Sequence, residues 1–115
     1  MKRILFTLLA VVTMAVFIER STRNQFVVVN KSGKVLRTLT IEISGQSYNF
    51  ENIKPGGETR AFFRISGNEG SFLVRGELDD GSPIDDACGY VVWEEIGKMF
   101  TITIAADGST DCKSN

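Results

Sequence analysis

From Gln25 onward the chain alternates apolar and polar residues with a period of two, and turn residues recur at intervals of roughly 8–12 positions. Leu39, Ile41 and Ile43 fall on one face of the segment 34–43, with Thr38, Thr40 and Glu42 on the other. Segment 59–65 sets Ala61, Phe63 and Ile65 against Arg60, Phe62 and Arg64. Segment 71–78 sets Phe72, Val74 and Leu78 against Leu73, Arg75 and Glu77. A residue that repeats every second position lines one face of a strand, whereas a helix needs spacings of three and four. Gln25 to Val29 reads as a further strand, rich in β-branched residues, and Gln46 to Phe50 as a short one after a Ser44-Gly45 turn. Tyr90 to Trp93 and Met99 to Ala105 read as a last hairpin turning at Glu94–Gly97, with Phe100, Ile102 and Ile104 inward. Pro83 to Gly89 carries no clear pattern.

The expectation is an all-β body over residues 25–115, of about seven strands in two packed antiparallel sheets. The turns Asn30-Lys31-Ser32-Gly33 and Ile53-Lys54-Pro55-Gly56-Gly57-Glu58, with the later Gly89-Tyr90-Val91, resemble small immunoglobulin-like sandwich domains of bacterial envelope proteins. The resemblance implies an immunoglobulin-like sandwich. Its motifs are turns and imply no activity. The Cys…Trp…Cys order of antibody domains is not met, because Trp93 follows Cys88 closely.

Ahead of this body lie residues 1–24. Lys2 and Arg3 precede an uncharged run of 15 residues from Ile4 to Ile18. As a helix that run spans ~22 Å, short of the ~30 Å hydrocarbon core, with Lys2 and Arg20 placed to snorkel. One reading is an uncleaved signal anchor, a transmembrane helix over Ile4–Ile18. The other is a signal peptide cleaved after Thr13-Met14-Ala15, which releases a secreted body. Either places residues 25–115 outside the cytoplasm, in the periplasm or at the cell surface.

Composition narrows the chemistry. A formal net charge of −1 attracts no phosphate backbone, so nucleic acid is not an expected partner. The chain has no histidine, the commonest general base and metal ligand, and neither a Ser nor a Cys nucleophile has its usual activator. Paired carboxylates serve glycosidases, but a sandwich of roughly 90 residues offers little cleft for a sugar. Glu77, Asp79, Asp80, Asp85 and Asp86 raise the question of calcium, yet adjacent pairs separated by Gly81-Ser82-Pro83-Ile84 match no alternating ligand loop. Asp-Gly-Ser-Pro is also strong turn chemistry. No enzyme, metal or cofactor is expected.

Cys88 and Cys112 have two readings, a disulfide closing a ~25-residue loop or two inert thiols. With the predicted last hairpin, Cys88 lies opposite Thr103, and a tail strand in the same sheet places Cys112 two strand spacings away, ~9.6 Å. A disulfide then requires the tail to leave the sheet. Phe62, Tyr90 and Trp93 are candidates for an exposed aromatic surface, and Asn30-Lys31-Ser32 is a glycosylation sequon. Together these features predict an extracytoplasmic protein-interaction module, membrane-bound through its N-terminal helix. Its expected partner is another envelope protein, met at a free sheet edge. The rivals are a secreted structural envelope protein without a specific partner, and a small hydrolase using the acidic cluster.

Overall fold

A computed structural model describes residues 24–64, 70–92 and 97–114. The N-terminal helix expected over Ile4–Ile18, with its cleavage alternative, lies outside the described residues, as do Ile65 and Trp93. The body is all-β. The eight strands among the described residues are β1 (Asn24–Asn30), β2 (Leu36–Ile43), β3 (Gln46–Ile53), β4 (Glu58–Phe63), β5 (Gly70–Leu78), β6 (Pro83–Val91), β7 (Met99–Ile104) and β8 (Thr110–Ser114). They form two four-stranded sheets, ordered β4-β1-β7-β8 and β3-β2-β5-β6. All pairings are antiparallel except β1 with β7, which run parallel.

The alternation read from the sequence sets the core. Leu39, Ile41, Ile43, Phe63, Phe72, Val74, Leu78, Phe100, Ile102 and Ile104 are all buried between the sheets. Phe26 is fully buried among aromatic rings, with centroids 5.2 Å from Tyr48, 5.9 Å from Phe72 and 6.1 Å from Phe63. The contacts with Tyr48 and Phe72 are edge-to-face and the one with Phe63 is tilted, and such ring pairs add to the burial term. A bulge between Leu36 and Thr38 lets both Leu36 and Leu39 point inward although they are three residues apart. It also presses the Thr38 carbonyl against Gly76, where a Cβ would lie 2.2 Å from that oxygen.

Three expectations are corrected. Pro83 to Gly89 is not patternless loop but most of β6, which pairs with β5. The last hairpin does not form, because β6 and β7 belong to different sheets and the chain crosses the sandwich between them. An eighth strand, β8, follows β7 in the same sheet, beyond the seven read from the sequence. Its tight Ala105–Ser109 turn is closed by Ala105 N–H to Ser109 O at 2.9 Å.

All eight strands share two ends. At one lie the starts of β1, β3, β5 and β7 and the ends of β2, β4, β6 and β8, including Asn24, to which the hydrophobic N-terminal run connects. The other gathers the turns after Asn30, Ile53, Leu78 and Ile104. There the Asn30 side chain, fully buried, donates from Nδ2 to the carbonyls of Lys34 (2.7 Å), Ile53 (2.9 Å) and Lys54 (3.2 Å). Its Oδ1 accepts from Ser32 N–H at 3.1 Å and Ser32 Oγ at 2.6 Å. The sequon asparagine is therefore a fastener between two turns, and its amide nitrogen is not available to a glycan in the folded protein.

Candidate functional site

Cys88 on β6 and Cys112 on β8 are joined in a disulfide, with Cα atoms 5.5 Å apart. The condition derived from the sequence fails because its premise fails: the tail stays in the sheet beside β7, and Cys88 has moved to the other sheet. Cys88 pairs in register with Phe72, and Cys112 with Ile102. The bond thus ties the edge of one sheet to the edge of the other. Gly89 makes the approach possible. Its φ is +68°, and a Cβ there would stand 3.2 Å from the Cys112 Cβ and 3.4 Å from the Phe72 ring.

The acidic residues do not converge. Glu77 lies 3.4 Å from Arg37, and Asp85 3.7 Å from Arg75. Asp80 pairs with Lys34 and accepts from Ser82 N–H at 2.9 Å, which holds its carboxyl well below the usual range. Asp86 turns toward β8, accepting from Thr110 N–H (3.0 Å) and Thr110 Oγ1 (2.8 Å), and its pKa is lowered by those bonds and by Ala87 N–H. Among the described residues no group of His, Cys, Asp or Glu side chains is placed to hold a metal ion.

Among the described residues the exposed large hydrophobics are Phe62 (47%), Leu73 (37%) and Tyr90 (59%). All three sit at the end of the sandwich where β1 begins, since Phe62 is opposite Gln25, Leu73 opposite Glu42, and Tyr90 precedes the last residue of β6. Leu73 on β5 and Tyr90 on β6 lie on the outer face of one sheet, whereas Phe62 on β4 belongs to the other, so the three form no single patch.

The sheet edges separate more sharply. Hydrogen-bonded pairs alternate along an antiparallel ladder, so one known bond fixes which backbone groups face outward. On β4 the bond from Asn30 N–H to Gly57 O turns the groups of residues 58, 60, 62 and 64 to the edge. The Tyr48 hydroxyl donates to Phe62 O (2.9 Å), and Gln46 takes both the N–H (3.1 Å) and the carbonyl of Arg64. Glu58 and Arg60, the other two positions, carry charges 3.7 Å apart. On β8 the Thr110 N–H is taken by Asp86, and Cys112 is cross-linked. On β6 the edge groups are those of residues 83, 85 and 87. Pro83 has no N–H, and Asp86 Oδ1 accepts the Ala87 N–H at 2.9 Å.

β3 differs. The two-residue turn Ser44-Gly45 closes on the pair Ile43/Gln46, so Ser47, Asn49 and Glu51 face outward. Their backbone groups have no partner beyond their own sheet among the described residues. The segment from Gln46 to Glu51 contains no Pro, Lys or bulge, and the one charge among its outward-facing positions is Glu51 at its far end. Beside it opens a hollow of about 560 Å³, with Phe50, Asn49, Glu51 and Thr59 on its walls. The Phe50 ring is half-buried against Phe26, its centroid 6.2 Å away. Sequence reasoning assigned the strand but not its edge. The available signal was the scarcity of blunting residues between Gln46 and Phe50, which only matters once the strand is known to be outermost.

No protein-family model matches the chain, and no curated protein matches its sequence. Among solved structures the fold is similar to an NMR structure of a protein from Eubacterium rectale, with TM-score 0.59 and 9% identity. The match covers 80% of this chain and 87% of that one. At that identity the likeness concerns the fold alone.

Proposed function

We propose that this chain is a membrane-anchored, extracytoplasmic protein-interaction module that takes an extended segment of another envelope protein as an added strand on β3. The observation that carries the reading is the contrast among four edges, three blunted and one left open along Ser47, Asn49 and Glu51. Main-chain bonds to an open edge supply affinity, and pockets beside it supply specificity. The hollow walled by Phe50 suits one apolar side chain of the added strand.

The compartment rests on two features. The Cys88–Cys112 disulfide belongs to an oxidising environment, and the run Ile4–Ile18 is the address that leads there. We read the body as immunoglobulin-like in its layering, two packed sheets with loops at both ends. Its grouping of strands is its own, since an antibody constant domain places its first, second, fifth and fourth strands in one sheet.

The test is a photo-crosslinking amino acid at position 49, compared with one at exposed Thr38 on the sheet face, in native membranes. One envelope protein crosslinked from position 49 and not from 38 supports the reading. Equal, scattered labelling from both positions removes it.

A further inference from the structure

We infer that the resting occupant of the β3 edge is the β3 strand of a second copy of this chain, paired antiparallel about a two-fold axis through Asn49. The inference rests on the reading of β3 as the interaction edge, and adds what fills it before any other partner arrives.

The register follows from the strand itself. Pairing of two identical edges is isologous, so each residue i meets a residue j with a fixed sum. Only registers that bring outward-facing groups together form bonds, which restricts the pairing to Ser47, Asn49 and Glu51. With the axis at Asn49, Asn49 meets its own copy and Ser47 meets Glu51. Each such pair exchanges N–H and carbonyl bonds in both directions. No like charges stand opposite one another. An axis at Phe50 instead leaves Ser47 against Ile53, where the strand ends, and an axis at Tyr48 sets Glu51 against the Gly45 turn.

Side chains agree with the same axis. On the inner face Tyr48 stands opposite Phe50 of the other copy, an aromatic cross-strand pair that covers the half-buried Phe50 ring at its hollow. On the outer face the Asn49 Oδ1 already accepts from Thr40 Oγ1 at 2.8 Å, so its amide N–H groups are directed to a further acceptor such as the facing Asn49. An edge this short gives a weak dimer in dilute solution. Anchoring through residues 1–24 confines copies to one surface and raises their effective concentration.

A charge exchange at the axis is the decisive experiment, made on the intact chain in lipid vesicles and read by energy transfer between labelled copies. The wild type is expected to dimerise. Asn49→Lys and Asn49→Glu, each of which places like charges face to face, are expected to weaken self-association by at least about tenfold. An equimolar mixture of the two variants restores the dimer. Asn49 is exposed on an edge strand, so both variants retain the fold, checked by their intact disulfide and unchanged melting. Dimers that persist in either variant, or that fail to return on mixing, overturn the proposal. A monomeric wild type that still crosslinks an envelope protein from position 49 overturns this inference and leaves the interaction edge standing. A monomer without that crosslink removes both.

Discussion

On the β6/β8 side of the sandwich, β6 locks against β8 and the turn that leads into it. Gly108 fits against Ile84 and the Pro83 carbonyl, Thr110 bonds Asp86, and Cys112 is cross-linked to Cys88. On the β3/β4 side only the half near the start of β1 is fastened, by neutral hydrogen bonds that join the Tyr48 and Gln46 side chains to the backbone of Phe62 and Arg64. The other half parts into a hollow before the chain closes it again at the turn held by Asn30. Both sides face the same physical problem, an open sheet edge. The first solves it with a covalent bond and a charge-assisted one. The second leaves part of an edge available, and the site proposed above lies there.

The largest expected effect breaks the locked side. Reduction, or Cys88→Ser with Cys112→Ser, should destabilise the body by about 3 kcal/mol, the chain-entropy value for a loop of this size. For a domain of this size that lowers the melting temperature by roughly 10–20 °C. Thermal unfolding with and without reductant measures it. A shift of only a degree or two would mean that the Asp86–Thr110 bonds and packing hold β6 to β8 unaided.

Next in size is Asn30→Ala, which strips the turn end of the other side. It leaves the Ile53 carbonyl buried without its donor, while the backbone of residue 30 still bonds Gly56 and Gly57, so the cost is that of the lost side-chain bonds, about 2 kcal/mol. A lower urea midpoint with unchanged slope is the expected result. A changed slope would show that the β3/β4 side opens separately from the rest.

These two predictions mark where the sequence was readable. Phe72, Val74, Leu78, Ile102 and Ile104 announced their strands by large apolar residues at even spacing, broken only by the outward Leu73 in β5, and all five are buried. β6 was hidden because its inward positions are Ile84, Asp86 and Cys88, only one of them a large hydrocarbon. The bulge at Gly89 then shifts the phase so that Val91 also points inward. Once β6 was missed, the pairing of Tyr90–Trp93 with β7 followed as an error, and the cysteine geometry with it. Asn30 was legible as a turn residue, but bonds to carbonyls 23 and 24 residues away leave no local trace. The open edge of β3 depends on strand order, a long-range property that alternation does not encode.

A smaller effect tests how the fastened half of the β3/β4 side is held. The Tyr48 hydroxyl lies 2.9 Å from both the Phe62 carbonyl and Gln46 Oε1, and partial burial raises its pKa. Tyr48→Phe keeps the ring against Phe26 and removes that link, at about 1 kcal/mol. If the hollow marks real looseness, amide exchange in β3 and β4 should quicken in this variant while β6 and β8 stay unchanged.

The smallest effect separates charge from cross-link on the locked side. Asp86 has a folded-state pKa below its ordinary value because Thr110 donates two hydrogen bonds to the ionised carboxylate. The unfolded chain therefore binds more protons than the folded one in the acid range, and stability rises with pH there. The contribution is fully present above the unfolded value near 3.8 and is lost as pH falls through the lower folded value. Because the carboxylate is partly exposed, solvent screening keeps the term below about 1 kcal/mol. Asp86→Asn should flatten the stability profile between neutral and acid pH by that amount, without removing the slopes due to Asp80 and Asp107, whose pKa values are also lowered. Made in the background lacking both cysteines, the same substitution should act more strongly, since β8 then depends on Thr110 to stay against β6. Equal effects in the two backgrounds would show that bond and cross-link act independently, and that the locked side is a sum of separate contacts rather than one cooperative clasp.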